Sequence, residues 1–219
     1  AQLVLVDNDF ASMPKVVAEG RRSINNLQRS ASLFLVKTLL SIAATLLFIA
    51  APWQYPFQPI QMTLISAFAI GIPSFVLALE PNRERIRGRF LGNVIVRSIP
   101  GAVCSVCCIL VANVVGYYLM GLDYEQVSAL CVLLTSWIGC SLVVRLSMPF
   151  TAIRSALLVV VVGGIAGTCL LMPNVFCIAP FTPGMWMLYI IVTAIFAVAF
   201  HALDLKLETL HAVRIRESE

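Results

Sequence analysis

Residues 30–51 read SASLFLVKTLLSIAATLLFIAA, and this run decides the fold class. It is apolar over the roughly 20 residues that a helix needs to cross a bilayer, and Lys37 is its one charge. Working outward from this first span, taken as 31–51, the chain holds five more stretches of the same kind. They fall at about 59–79, 98–120, 127–144, 150–172 and 184–203. The whole composition agrees. Of 219 residues 60% are hydrophobic and 12% charged, with a mean hydropathy of +0.93, whereas about a quarter of a soluble domain is charged. The fold class is therefore an all-α membrane protein with six transmembrane helices.

The breaks between spans carry turn chemistry: APWQYPFQP after the first, EPNRERIRGR after the second, GLDYEQ after the third, RLSMP after the fourth and PNVFCIAPFTPG after the fifth. Six spans bring both termini to one side. Lys15, Arg21, Arg22 and Arg29 precede the first span, and Arg83, Arg85, Arg87, Arg89 and Arg97 lie between the second and third. Arg145 and Arg154 flank the fourth loop, and Lys206, Arg214 and Arg216 follow the last span. The three alternate loops hold no Lys or Arg. The positive-inside rule then predicts a multi-pass protein of the cell membrane with both termini cytoplasmic. Trp53, Tyr55, Tyr117, Tyr118, Tyr124 and Trp186 gather toward the other face, as an interfacial aromatic belt does. The net charge of +4 is thus a consequence of topology, and nucleic acid is not an expected partner.

Ahead of the first span, Leu3–Val6 reads as a short buried strand closed by an Asp/Asn turn. A helix starts near Ser12, its N-cap, with Pro14 in the first turn, and runs without a breaker except Gly20 into the membrane. A lone strand cannot pair its own backbone groups, so its sheet is expected outside this chain.

The run AQLVLVDNDFASMPKVVAEGRRSINNLQRS resembles the end of the phosphorylation domain and the stalk of P-type cation-transporting ATPases, which leads into their fifth membrane helix. PIQMTLISAFAIGIPSFVLALEP, residues 59–81, is similar to the sixth helix of that family. The wording is nearest to a bacterial, calcium-transporting-like branch, and the match is specific over residues 1–81. The resemblance implies residues 1–30 as the end of the phosphorylation domain and stalk, 31–205 as a six-helix membrane domain and 206–219 as a cytoplasmic tail. It further implies that the chain is the C-terminal membrane part of an ATP-driven cation pump, with calcium as the expected cargo. The D-K-T-G-T and G-D-G-x-N-D motifs do not occur in this sequence. No cofactor is expected in this chain, ATP and magnesium belong to the parent pump, and the chain alone is not expected to hydrolyse ATP. Its expected partners are the lipid bilayer, the first four membrane helices and cytoplasmic domains of the pump, and the transported cation.

In that family cations cross between the fourth, fifth, sixth and eighth helices. On the calcium-pump pattern Thr38 stands where a ligand Asn is usual and Ser41 where a ligand Glu is usual. Ser66, Ala69 and Ile70 stand at the usual Asn, Thr and Asp. Calcium takes six to eight oxygens, carboxylates among them, yet no Asp or Glu lies in the middle of any span. What remains is polar and aligned. Lys37, Ser41 and Thr45 share a helix face with Thr38 at its edge, Thr63 and Ser66 form an i, i+3 pair, and the two stripes are expected to face each other. Pro73 has no N–H to return to the Ala69 carbonyl, and Gly71 lets the backbone bend there. The candidate ion pathway is therefore Lys37, Thr38, Ser41, Thr63, Ser66 and Ala69, with a kink at Gly71 and Pro73. A lysine inside a membrane costs about 2.5–3.5 kcal/mol on insertion scales. Lys37 is either a built-in counter-charge standing where a second cation would bind, or a side chain that snorkels to the interface.

The remaining features are weaker signals. Cys104 and Cys108 in CSVCC share a helix face, which suits a soft metal, but cysteines also pack as small apolar side chains and no His or carboxylate is near in sequence. Cys169 and Cys177 could pair under oxidising conditions. GGIAG, residues 163–167, offers a small-residue face for helix packing. His201 and Asp204 form either a pair or a polar edge, Asn113 is a lone amide, and the tail from Leu205 reads as a short amphipathic surface helix. Other readings are a free-standing six-helix bundle that scaffolds or regulates a partner pump, and a passive channel or secondary transporter. The last predicts an internal repeat, and none is visible.

Overall fold

The computed structural model describes residues 10–82, 85–86 and 88–218. The expected strand Leu3–Val6 lies outside them. A single 3₁₀ turn, Phe10–Ser12, leads into α1, Met13–Ala50. Then come α2 (Pro59–Leu79), α3 (Phe90–Leu119), α4 (Tyr124–Leu146), α5 (Ala152–Leu171) and α6 (Pro183–Ser218). All six are long and apolar enough to cross a membrane, and no strand occurs among the described residues. The chain is an all-α, multi-pass membrane protein.

Starts and stops follow local chemistry. Prolines open α2 and α6 and occupy the first turn of α1, where a missing N–H costs nothing. Reciprocal capping boxes begin α2 (Gln58 with Gln61) and α4 (Asp123 with Gln126). Ser12 precedes α1 as expected but makes no side-chain capping bond, because it already has helical backbone angles inside the 3₁₀ turn. Gly121, with φ of 62°, takes the left-handed residue that the tight α3–α4 turn needs.

The stalk and first span form one unbroken rod, as expected, but two boundaries differ from the hydrophobic runs: α3 starts at Phe90 rather than near 98, and α6 continues through the tail to Ser218. The tail is therefore not a separate surface helix. Backbone hydrogen bonding carries a helix past the end of its apolar run when side chains dock the overhang. Here His211 packs on α3, its Nε2 2.7 Å from Asn93 Oδ1.

The core is built around α4, which touches all five other helices. Every residue from Val127 to Val132 is buried in unbroken succession, with Leu134, Ile138 and Leu142 beyond, so α4 is covered on every side, as a helix enclosed by others is. The other extensive pairings are α1 with α3, α3 with α6 and α1 with α2. Small residues set the closest approaches: a Cβ on Gly139 would come within 2.8 Å of the Ala69 Cβ, and the Phe68 ring lies directly over Gly164. In GGIAG only Gly164 is used this way; Gly163 and Gly167 face open space.

Candidate functional site

The polar contact between α1 and α2 forms where the sequence places a charge. Lys37 Nζ donates to Ser66 Oγ at 2.5 Å, and Ser66 Oγ donates on to the Met62 carbonyl. The lysine is half-buried and reaches across to α2. Next to this bond lies a void of about 30 Å³, room for one water-sized group, lined mostly by apolar side chains such as Leu33, Leu40, Ile65 and Leu142, with Lys37, Ser105 and Thr135 at its edge. The Thr135 hydroxyl is buried with no hydrogen-bond partner. Four helices therefore border this void.

Ser66 also opens a π-helical segment, Ser66–Gly71. The cause is readable in the chain: Pro73 cannot donate four residues back, so the ladder slips to i→i+5 and the Ile72 N–H reaches the Ala67 carbonyl. Gly71 allows the close approach, since a Cβ there would meet the Ser66 carbonyl oxygen at 3.3 Å. The kink expected at Gly71 and Pro73 is thus a π turn.

The two polar stripes meet only at this point. Thr38 and Thr63 are exposed and bond their own helices, to the Phe34 and Pro59 carbonyls. Thr45 is exposed, Ser41 is half-buried, and Ala69 is buried against Gly139. The full facing of the stripes is therefore corrected. Successive helix positions turn by about 100°, so Thr38 leaves the contact that Lys37 enters.

A second polar cluster, around Glu80 at the end of α2, lies outside the expected ion pathway. Glu80 is 6% exposed and sits between two arginines. Arg154 Nε bonds both carboxylate oxygens at 2.8 and 2.7 Å, and Arg29 Nη1 lies 3.3 Å from Oε2. Arg154 also donates to the Pro149 carbonyl at 2.7 Å. Asn26 and Arg22 donate to the carbonyl ends of α2, at Ala78, Leu79 and Glu80. One carboxylate thus ties α1, α2 and α5 together. The signal available in the sequence was the register of Asn26, Arg29, Leu33, Val36 and Leu40, which puts the first two on the buried face of α1.

Elsewhere, Asp204 pairs with Arg145 rather than with His201, and Arg145 also reaches Glu208 at 2.8 Å. Asn113 has partners, donating to the Ile109 carbonyl at 2.8 Å and to Cys131 Sγ at 3.6 Å. All seven cysteines are unbridged. Among the described residues no group of three His, Cys, Asp or Glu side chains converges as a metal site.

These features have relatives. The chain is 36% identical over 178 residues to the probable cation-transporting ATPase exp7 of Streptococcus pneumoniae, covering 78% of this chain and 23% of that protein. It is 42% identical over 141 residues to the calcium-transporting ATPase CtpE of Mycobacterium tuberculosis, covering 58% and 18%. It is 40% identical over 127 residues to CtpE of Mycolicibacterium smegmatis, covering 53% and 16%. No family model matches the chain. No solved structure matches it. The chain spans between 16% and 23% of the length of these relatives. It is a homologue of the bacterial P-type ATPases that transport cations, calcium transporters among them.

Proposed function

We propose that this chain is the C-terminal membrane part of an ATP-driven cation pump, with α1 and α2 forming one wall of the ion pathway and Lys37 serving as a fixed counter-charge within it. The observation that carries the reading is the Lys37–Ser66 bond beside the π turn. A lysine satisfied by the interface would extend along its own helix toward water, whereas this one is turned into the contact between two spans. A π turn inside a membrane helix is also a frequent mark of a functional site. ATP and magnesium act elsewhere in the pump. Calcium is the proposed cargo, by likeness to the CtpE proteins. With no mid-span carboxylate in this chain, the ion's charge is met by groups outside it.

The basic loops and both termini face the cytoplasm in this proposal, as the distribution of arginines supports. The test is ion uptake by vesicles carrying the full-length pump and its Lys37→Ala and Lys37→Arg forms at equal expression. A counter-charge predicts a changed ratio of ions moved per ATP in Lys37→Ala, with the ratio kept in Lys37→Arg. An unchanged rate and ratio in Lys37→Ala reject the role.

A further inference from the structure

The void beside the Lys37–Ser66 bond has polar groups from three helices on its border. Thr135 on α4 and Ser105 on α3 are 3% and 2% exposed, and both line it, as Lys37 does from α1. Ser66 Oγ takes one of the three N–H groups of the lysine ammonium. The Thr135 hydroxyl has no partner in the protein. It sits midway along a spanning helix, where bulk water does not reach it and an unbonded hydroxyl is costly to bury.

Size and charge select the occupant. A space of about 30 Å³ takes one water. Voids that stay dry are wholly apolar, whereas this one has an ammonium and two hydroxyls at its edge. A calcium ion needs six to eight oxygens, and two hydroxyls beside a positive charge supply neither that number nor any negative charge. A monovalent cation meets the same repulsion from Lys37. Water fits on both counts. Its oxygen accepts from the ammonium and its two hydrogens are left for the Ser105 and Thr135 oxygens, which gives it the three partners usual for a buried water.

We infer that this void holds one ordered water that bridges the Lys37 ammonium to the Thr135 hydroxyl and so ties α1 to α4 inside the membrane. Thr135 is thereby a positioning residue, which holds the ammonium from α4 while Ser66 holds it from α2. The site rests on the Lys37 contact and is independent of the part proposed for Lys37 in ion transport.

The direct test is a density map of the full-length pump with calcium chelated, at a resolution that shows ordered water elsewhere in the protein. The expected map has one peak in the void, about 2.5–3.2 Å from both Lys37 Nζ and Thr135 Oγ1. An empty void in such a map overturns the inference. So does a peak that appears only when calcium is restored, which would give the void to the cargo. Thr135→Val adds a test of sign, because valine keeps the shape and removes the hydroxyl. With the water in place a hydrogen bond is lost and the thermal midpoint falls by a few degrees. In Lys37→Met, where no ammonium holds the water, the same change leaves the midpoint level or raises it. A midpoint that rises in the wild-type background means a stranded hydroxyl in a dry void, and an equal fall in both backgrounds means a hydroxyl acting apart from Lys37; either result overturns the bridge. Neither measurement reads transport, so a missing water and a failed transport role for Lys37 are told apart.

Discussion

Lys37 and Glu80 each bring a charge into the bundle, and they differ in how visible they are in the chain. Lys37 can be picked out from the sequence because it is the one charge in an apolar run, and its partner Ser66 follows from the spacing of hydroxyls in the next span. Glu80 cannot, because its two arginines lie 51 and 74 residues away and no local pattern joins them. Breaking a buried ion pair from one side leaves the other charge uncompensated, at about 3–5 kcal/mol. Glu80→Gln is therefore expected to lower the thermal midpoint of the protein in detergent markedly. Exchanging charges in Glu80→Arg with Arg154→Glu should recover part of the loss, because Arg29 then faces a like charge. A midpoint unchanged in Glu80→Gln would show that the cluster contributes no net stability.

At the scale of elements, the helix count and the bend in α2 are legible because hydropathy and Pro73 act locally. The lengths of α3 and α6 are not, since their overhangs are held by tertiary contacts: Arg145 with Asp204 and Glu208, and His211 with Asn93. The fit of the π turn against α4 is likewise a tertiary fact. Gly139→Ala would push a methyl group to 2.8 Å from the Ala69 Cβ, an overpacking that costs about 1–3 kcal/mol. Ala69→Gly in the same chain removes the clash, so the double variant should melt nearer to the wild type than Gly139→Ala does. Gln61 supplies a second test. It is fully buried, accepts from Ser128 Oγ at 2.9 Å and donates to the Cys177 carbonyl at 3.0 Å, holding the one described non-glycine residue with positive φ. Replacing it by leucine strands the Cys177 carbonyl and the Ser128 hydroxyl, an expected loss of about 1–3 kcal/mol. Faster cleavage of the α5–α6 loop by an added protease would localise the damage.

For the whole molecule, the even number of spans and the one-sided arginines were readable, because they depend on composition and order alone. Which helix lies at the centre was not, as every span is comparably apolar; α4 is central because its neighbours enclose it. The orientation has a direct check. A cysteine at Glu125, in protein whose Cys177 is replaced by serine, should react with a membrane-impermeant maleimide added outside intact cells. Labelling only after the cytoplasmic face is opened would invert the topology.

The unbroken course of α1 gives the molecule leverage. Asn26 and Arg29 bind the rod to the end of α2 and act as its fulcrum. The arm from Met13 to Asn26 is about 20 Å long and the arm from Arg29 to Lys37 about 12 Å, at helical rise. A sideways displacement of about 3 Å at the outer end therefore moves the backbone at Lys37 by about 2 Å in the opposite direction. That travel is comparable to the slack in a hydrogen bond, which weakens steeply once its geometry is lost. A push delivered well outside the bilayer would thus arrive at the Lys37–Ser66 bond as enough motion to undo it, with no hinge needed anywhere in the rod.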